Sequence, residues 1–177
     1  MAEVFLKNGK TLLIRRAVPE DAEALLAYLK KVGSESDNLL FGAEGVAFTL
    51  EQEREFLGKL YASPSDWFLL GLVDGEIIAT AGVYGNARER TRHVGSFALA
   101  VRQPFWNAGV GTAMGKEVLR LTKESGLITV VHLTVRTENV HAQRLYENLG
   151  FRMVGILHRD LRIRGEYADT AQMELLL

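Results

Sequence analysis

The chain has 177 residues, of which 47% are hydrophobic and 24% are charged. This length and balance predict one globular domain over residues 1–177 and exclude a disordered or collagen-like chain. The 21 Lys and Arg residues oppose 22 Asp and Glu residues, so no overall charge attracts nucleic acid or an anionic membrane. The absence of Cys excludes disulfides, thiolate metal sites and a cysteine-bound acyl intermediate.

Metal binding and membrane insertion find no support in the sequence. The four His residues, at positions 93, 132, 141 and 158, do not have the spacing of a metal-binding helix, so we expect no metal. The N-terminus lacks the features of a signal peptide, and no apolar run approaches roughly 18 residues. These features predict a cytosolic protein without a membrane segment.

The first elements are a strand and a helix. Residues 11–18 are apolar and β-branched, which is typical of a strand. Pro19 and two acids then begin a helix whose apolar residues recur at helical spacing, with Gly33 as its stop. Residues 33–46 have no sustained period and predict a mobile loop.

A second helix and a hairpin come next. Thr49 and Gln52 have the spacing of a capping box and predict a helix over roughly residues 50–62. Two apolar segments then flank Asp74 and Gly75, a pair typical of a type I′ turn, in which both central residues need positive φ. The sequence therefore predicts two antiparallel strands.

The second half alternates between strands and helices. Residues 93–101 predict a strand, and the segment from Gly109 to Gly126 predicts an amphipathic helix. The apolar run 127–135 predicts a strand buried on both faces, which makes His132 a core histidine with satisfied hydrogen bonds.

The C-terminal part predicts one more helix and a hairpin. The helix is expected to be capped by Thr137 and to end at Gly150, and two long strands follow it. The predicted order is βα(α)βββαβαββ. Strand, helix, strand alternation requires a parallel pair, and the hairpins require antiparallel pairs, so the sheet is mixed.

A candidate phosphate site lies where the strand 93–101 leads into the next helix. Gly109 and Gly111 lie at this junction, where backbone N–H groups lack helical partners. The helix dipole and the absence of Cβ atoms favour a pyrophosphate there, and a bulky residue at either glycine is expected to block it. An ordinary glycine turn is the alternative interpretation.

A second candidate surface lies on the last helix. Asn139 and Tyr146 are two helical turns apart, with the small Ala142 between them. A narrow ligand fits along that face. The alternative is an amphipathic helix whose Tyr146 packs its ring in the core with the hydroxyl at the rim.

Together, the segments 97–122 and 134–151 resemble the two central motifs of the GNAT superfamily of N-acetyltransferases. In that family the first motif is Gln or Arg, two residues, Gly, one residue, and Gly or Ala. Trp106 takes the Gln or Arg position here. The resemblance implies an α/β three-layer fold, with a mixed, mostly antiparallel sheet, helices on both faces and a splayed parallel pair of central strands.

The resemblance also implies a reaction, which is transfer of acetyl from acetyl-CoA to a primary amine of a small molecule, peptide or protein. Tyr146 matches the family's general acid, which protonates the departing thiolate, and the Leu99 N–H would orient the acetyl carbonyl. The pantetheine arm would pair with the Leu99 and Val101 backbone and contact Asn139. The implied acetyl-CoA contacts are Leu99, Ala100, Val101, Asn107, Ala108, Gly109, Val110, Gly111, Thr112, Asn139, Ala142 and Tyr146.

The general base is not assigned by the resemblance. Many relatives carry a Glu on the strand that here reads Gly-Ser-Phe-Ala, and Ser96 cannot act as a carboxylate. His93, Glu44 and water are the candidates. A catalytically weak acyl-CoA sensor is therefore an alternative function, and an unrelated nucleotide-phosphate-binding protein is another.

The acceptor and the oligomeric state have only indirect signals. Glu35, Asp37 and Glu44 give the loop 33–46 three acids and no base, which favours a cationic acceptor if the loop borders the site. A solvated connector is the alternative. The C-terminal hairpin is expected to border the acceptor pocket or a homodimer contact.

Overall fold

A computed structural model describes all residues from Met1 to Leu177. The helices are α1 (Ala22–Ser34), α2 (Leu50–Ala62), α3 (Val110–Ser125) and α4 (Val140–Asn148). The strands are β1 (Ala2–Phe5), β2 (Thr11–Arg16), β3 (Trp67–Val73), β4 (Glu76–Gly85), β5 (Val94–Val101), β6 (Val130–Arg136), β7 (Arg152–Ile163) and β8 (Glu166–Leu176). No helix is long and apolar enough to cross a membrane.

All eight strands form one sheet in the order β1-β2-β3-β4-β5-β6-β8-β7. Every pair is antiparallel except β5 with β6, so the predicted mixed sheet with one parallel pair is confirmed. The prediction missed β1, a short strand that pairs with β2 at the edge of the sheet.

Helices cover both faces of the sheet, as predicted. The larger core cluster joins α3 and α4 to one face through residues such as Val83, Phe97 and Met114. The smaller cluster joins α1 and α2 to the other face through Leu25, Leu57 and others. We call these the α3 face and the α1 face.

The predicted cap of α2 and the predicted turn between β3 and β4 are confirmed. Thr49 and Gln52 form the capping box of α2. Asp74 and Gly75 have φ values of 52° and 81°, as a type I′ turn requires.

Two local predictions are wrong. The cap of α4 is Asn139, whose side chain accepts from the Ala142 N–H, whereas Thr137 bonds to the Asp169 carbonyl. Gly33 does not stop α1, which continues to Ser34. A Cβ on Gly33 would lie 2.0 Å from the Gly42 carbonyl oxygen, so this glycine lets the following loop fold back against the helix.

The strand β6 is also different from its prediction. Val131, Leu133 and Val135 are buried on the α3 face, but the residues between them are partly or fully exposed. The strand is therefore buried on one face only, and His132 lies on the partly open α1 face.

Candidate functional site

The parallel strands β5 and β6 separate after a short paired stretch. Their register includes only Val94 to Ser96 on β5 and Val130 to His132 on β6. Beyond that point β5 pairs only with β4, and β6 pairs only with β8. A gap therefore opens in the middle of the sheet, between the C-terminal halves of β5 and β6.

Backbone groups of β5 are directed into this gap. The Arg102 N–H donates to the Ile78 carbonyl over 2.9 Å. This bond shows which alternate residues of β5 form backbone hydrogen bonds with β4. Even-numbered residues of β5 bond to β4, so Leu99 and Val101 turn their N–H and C=O groups away from it, towards the gap. Ala100 has the opposite orientation, and its carbonyl accepts from the Tyr28 hydroxyl over 2.9 Å.

The side chain of Trp106 forms a hydrogen bond with one of these gap-facing groups. Its indole Nε1 donates to the Val101 carbonyl over 2.7 Å, while its side chain remains largely exposed. The Leu99 N–H and C=O and the Val101 N–H therefore remain as the unpaired backbone groups at the β5 side of the gap.

Consecutive unpaired amides lie at the open end of the gap, where α3 begins. The first helical hydrogen bond runs from the Ala113 N–H to the Gly109 carbonyl. The N–H groups of residues 107–112 thus have no acceptor within the protein, and the helix dipole adds partial positive charge there. This donor set suits the oxygens of a pyrophosphate.

Gly109 and Gly111 have different roles at this terminus. Gly109 caps α3 with φ of 91°, and a Cβ built on it meets no atom within 4 Å. A Cβ on Gly111 would lie 3.0 Å from Leu145 and 3.6 Å from Leu99. The missing Cβ of Gly111 thus lets α3 pack against α4 and β5. That a side chain at either glycine would obstruct a phosphate stays a prediction.

The amide-bearing segment is braced from the α1 side. The Glu35 carboxylate accepts from Arg102 Nε and from the Gln103 N–H, both over 2.7 Å. Both side chains of this ion pair are mostly buried. The brace joins the end of α1 to the turn between β5 and α3.

We expect Glu35→Gln to lower the free energy of unfolding by about 1–2 kcal/mol, since a charge-assisted pair is broken while Arg102 keeps Glu76 within 3.5 Å. Acetyl-CoA affinity should also fall, because the turn before residues 107–112 loses its anchor. Thermal unfolding and calorimetry check both effects. The matched control is Glu76→Gln, an exposed carboxylate of the same network, and equal losses in the two variants would contradict the brace.

Tyr146 lies on the α3 face beside the gap. Its ring packs edge-to-face against Phe97 and Phe151, with centroid distances of 5.8 and 6.1 Å. The hydroxyl takes part in none of the protein's hydrogen bonds, although the residue is only 9% exposed. Burial raises the pKa of Tyr146 to about 12, so the phenol stays protonated at neutral pH and is suited to donate a proton.

Asn139 is the N-cap of α4, and Ala142 lies in the first turn of this helix. The Asn139 Oδ1 accepts from the Ala142 N–H over 3.2 Å, so this oxygen is used for capping. The Asn139 Nδ2 group remains free to donate to a ligand.

The two side chains expected as general bases are poorly placed. His93 is exposed before β5, at the end where β5 and β6 are still paired. Glu44 is exposed, and its carboxylate accepts from the Gly42 N–H, a bond that lowers its pKa and makes it a weaker base. The expected acidic character of the loop is also reduced, because Glu35 pairs with Arg102 and Asp37 with Arg164.

A row of mostly polar side chains crosses the α1 face of the sheet at the closed end of the gap, where the pairing of β5 with β6 ends. Strand pairing places Tyr84, Ser96, His132, Glu174 and Arg152 opposite one another on five successive strands. His132 Nε2 lies 3.3 Å from a Glu174 oxygen, and both side chains are about one third exposed. The prediction of a core histidine is therefore wrong.

The sequence does not predict one buried polar residue on the α1 face. Glu53 of α2 is only 2% exposed and lies on the same helical stripe as Leu57 and Leu60. Its spacing to these leucines, four and seven residues, was the signal that could have identified it as a buried carboxylate.

A cavity of about 380 Å³ lies on the α1 side of the open end of the gap. It is lined by acidic and basic side chains and by Tyr167 of the C-terminal hairpin. The charged residues include Asp37, Arg136, Glu138 and Arg164. The hairpin thus borders a surface next to the gap.

Comparison with known proteins places this geometry in a family. The model of the acetyltransferase (GNAT) family matches residues 35–151, which include the gap, the unpaired amides and Tyr146. The chain belongs to the GNAT acetyltransferase family. Membership agrees with the fold that the two sequence motifs implied.

Two curated GNAT relatives have amine acceptors in their names. The chain is 27% identical over 105 residues to the L-amino acid N-acetyltransferase AaaT of Escherichia coli (strain K12), covering 59% of this chain and 65% of the relative. It is 27% identical over 113 residues to the N-alpha-acetyltransferase RimI of Mycobacterium tuberculosis, covering 64% and 69%. The match thus spans slightly less than two thirds of the first relative's length.

Solved GNAT structures match over nearly the whole chain. An acetyltransferase of the GNAT family from Streptococcus pneumoniae has a TM-score of 0.92 and 32% identity, covering 94% of this chain and 99% of that one. The yncA protein from Salmonella typhimurium, solved with its cofactor acetyl-CoA, has a TM-score of 0.82, covering 94% of each chain. At 16% identity the second likeness shows the fold alone.

Proposed function

We propose that this GNAT protein is an acetyl-CoA-dependent N-acetyltransferase that moves the acetyl group directly to a primary amine. The observation that carries the proposal is the gap between β5 and β6, which joins unpaired amides at one end to a buried phenol beside it. Acetyl-CoA contributes an activated acyl group as a thioester.

The chain's own groups fit this substrate. The N–H groups of residues 107–112 would bind the pyrophosphate, and the unpaired groups of Leu99 and Val101 would pair with the pantetheine arm. Asn139 and Ala142 would line the same arm from α4. The Leu99 N–H is a preorganised donor for the carbonyl oxygen, where negative charge develops during acyl transfer.

Tyr146 would act as the general acid. Its hydroxyl has no partner in the protein and its pKa is raised to about 12 by burial, so it holds its proton until a thiolate is expelled. The absence of Cys leaves no thiol to form an acyl-enzyme, which supports direct transfer within a ternary complex.

The test is turnover with a panel of amines. We expect purified protein to release free thiol from acetyl-CoA in the presence of an L-amino acid, a peptide N-terminus or a polyamine, with the acetylated product seen by mass spectrometry. Binding of acetyl-CoA without thiol release for any amine would favour the acyl-CoA sensor. Thermal stabilisation by ATP or NAD but not by CoA would contradict the whole assignment.

The cytosolic location and the single-domain organisation stay predictions of the sequence. We also propose a homodimer, supported by the edge strand β7, which exposes Met153, Val154, Ile156 and Leu157. An exposed apolar edge strand is a common site of association between copies of a chain. Light scattering at several concentrations would test it, and a monomer throughout would refute it.

A further inference from the structure

Glu53 occupies a core position of α2. It precedes Leu57 by four residues and Leu60 by seven, and all three are buried on the side of the helix that packs on the sheet. Apolar residues normally fill such positions, because a carboxylate loses hydration there without gaining a partner.

The Glu53 carboxylate is unpartnered. It takes part in no hydrogen bond or ion pair, although the residue is only 2% exposed. Among the side chains that are not exposed, the fully enclosed polar atoms without a partner are Trp67 Nε1 and Arg136 Nε. The oxygens of Glu53 therefore keep some accessible surface at the end of a buried stem.

Tyr84 connects Glu53 to the gap. Tyr84 packs against the core cluster that contains Leu57 and Leu60 of α2, and its ring centroid lies 6.2 Å from that of Phe68. Glu53 lies one turn before Leu57 on the same buried side of α2. A Cβ on Gly82 would lie 2.7 Å from the Tyr84 hydroxyl, so this ring folds back over Gly82. Gly82 pairs with Ala98, the neighbour of Leu99, and the hydroxyl thus lies on the α1 face beside the gap.

We propose that Glu53 is the general base of the acetyl transfer and receives the proton of the acceptor amine on the α1 face, opposite Tyr146. This inference rests on the proposed function. It supplies from α2 the carboxylate that strand β5 lacks at Ser96.

The proton and electron balance of the step is complete. The neutral acceptor amine uses its nitrogen lone pair to form a bond to the thioester carbonyl carbon, and one of its N–H protons passes to Glu53. The carbon–sulfur bond then breaks, and the sulfur takes its electron pair and a proton from Tyr146. Solvent returns the proton to Tyr146 and removes the one on Glu53.

The environment of Glu53 suits a base. Burial raises its pKa, and no charged group contributes to that shift. A carboxyl with a raised pKa is a stronger base near neutral pH than the exposed Glu44, whose pKa is lowered.

The experiment is the pH profile of kcat/KM for Glu53→Gln. We expect kcat/KM at neutral pH to fall by roughly a hundredfold, a typical effect of losing a general base. Wild-type activity should decline as pH falls through the pKa of Glu53, because the base must be deprotonated, and this decline should be absent in Glu53→Gln. Glu53→Asp, which keeps an ionisable group, should retain the decline at a reduced rate.

Two further measurements separate catalysis from folding. A carboxyl whose folded pKa is raised destabilises the fold at pH values above that pKa, so Glu53→Gln should melt at the same or a higher temperature than the wild type at pH 8. Calorimetry should give unchanged acetyl-CoA affinity. Glu51→Gln, two residues earlier on the exposed side of α2, is the matched control and should match the wild type throughout.

Three outcomes would overturn the inference. Glu53→Gln could keep the wild-type kcat/KM and pH profile, or its melting temperature and acetyl-CoA affinity could fall together, which would assign Glu53 to folding. Alternatively, His132→Gln could remove the acid-side decline while Glu53→Gln retains it, making His132 the base. A wild-type protein inactive with every amine would instead refute the proposed function.

Discussion

Replacing Tyr146 with Phe is expected to lower kcat by roughly ten- to a thousandfold while leaving the affinity for acetyl-CoA nearly unchanged. The substitution removes a hydroxyl that has no partner in the protein and keeps the ring that packs against Phe97 and Phe151. Folding should therefore be unaffected. Steady-state kinetics, calorimetry and thermal unfolding of the same preparation measure the three quantities.

The pH dependence of kcat is expected to agree with Tyr146 as a proton donor. Because burial raises the pKa of Tyr146 to about 12, the phenol is protonated over the working range and should add no ionisation to the profile below roughly pH 10. This pKa exceeds that of a thiol by roughly 3.5 units, so proton transfer from the phenol to the thiolate is unfavourable. The contribution of Tyr146 to kcat can therefore be as small as about tenfold. Tyr61→Phe, at an exposed tyrosine, is the control. A fully active Tyr146→Phe would mean that water protonates the thiolate.

Sequence signals predicted the site wherever the chemistry is local. The unpaired amides follow from a helix that begins at a glycine, and the hairpin and the α2 cap follow from residues two or three positions apart. The parallel pair β5–β6 follows from element order, since a helix between two neighbouring strands returns the chain in the same direction. These features need no knowledge of distant contacts.

The missed features depend on contacts between distant parts of the chain. β1 is too short to show a period, and it is held by pairing with β2. The sequence shows Glu35 only as one of three acids in a loop, because its partner Arg102 lies 67 positions away. The apolar run around His132 predicts a buried strand, whereas the His132 side chain lies on a partly exposed part of the α1 face.

Glu53 shows why pattern alone is insufficient at a functional position. Its segment contains acids at positions 51, 53 and 55, which together are typical of a solvated helix face. Only the packing of Leu57 and Leu60 on the sheet distinguishes Glu53 from its exposed neighbours. A buried carboxylate in place of an apolar residue costs stability, and such local conflicts occur mainly where function requires them.

Gly109→Asp is expected to weaken acetyl-CoA binding by about a hundredfold or more. Asp tolerates the left-handed conformation that Gly109 adopts at φ of 91°, and its side chain would extend into open space beside the unpaired amides. A carboxylate roughly 5 Å from a phosphate charge repels it by about 3 kcal/mol at an effective dielectric constant near 20. Calorimetric titration with acetyl-CoA measures the loss.

Gly109→Asn is the decisive comparison, because Asn has the same shape and the same tolerance for positive φ but no charge. We expect Gly109→Asn to bind acetyl-CoA clearly more tightly than Gly109→Asp. The difference in affinity between the two variants should decrease as added salt screens the repulsion. Gly126→Asn places the same residue at the other end of α3, where φ is 68° and a Cβ also meets open space, and it should change stability without changing affinity. If Gly109→Asp and Gly109→Asn bind equally well at every salt concentration, no pyrophosphate lies against these amides.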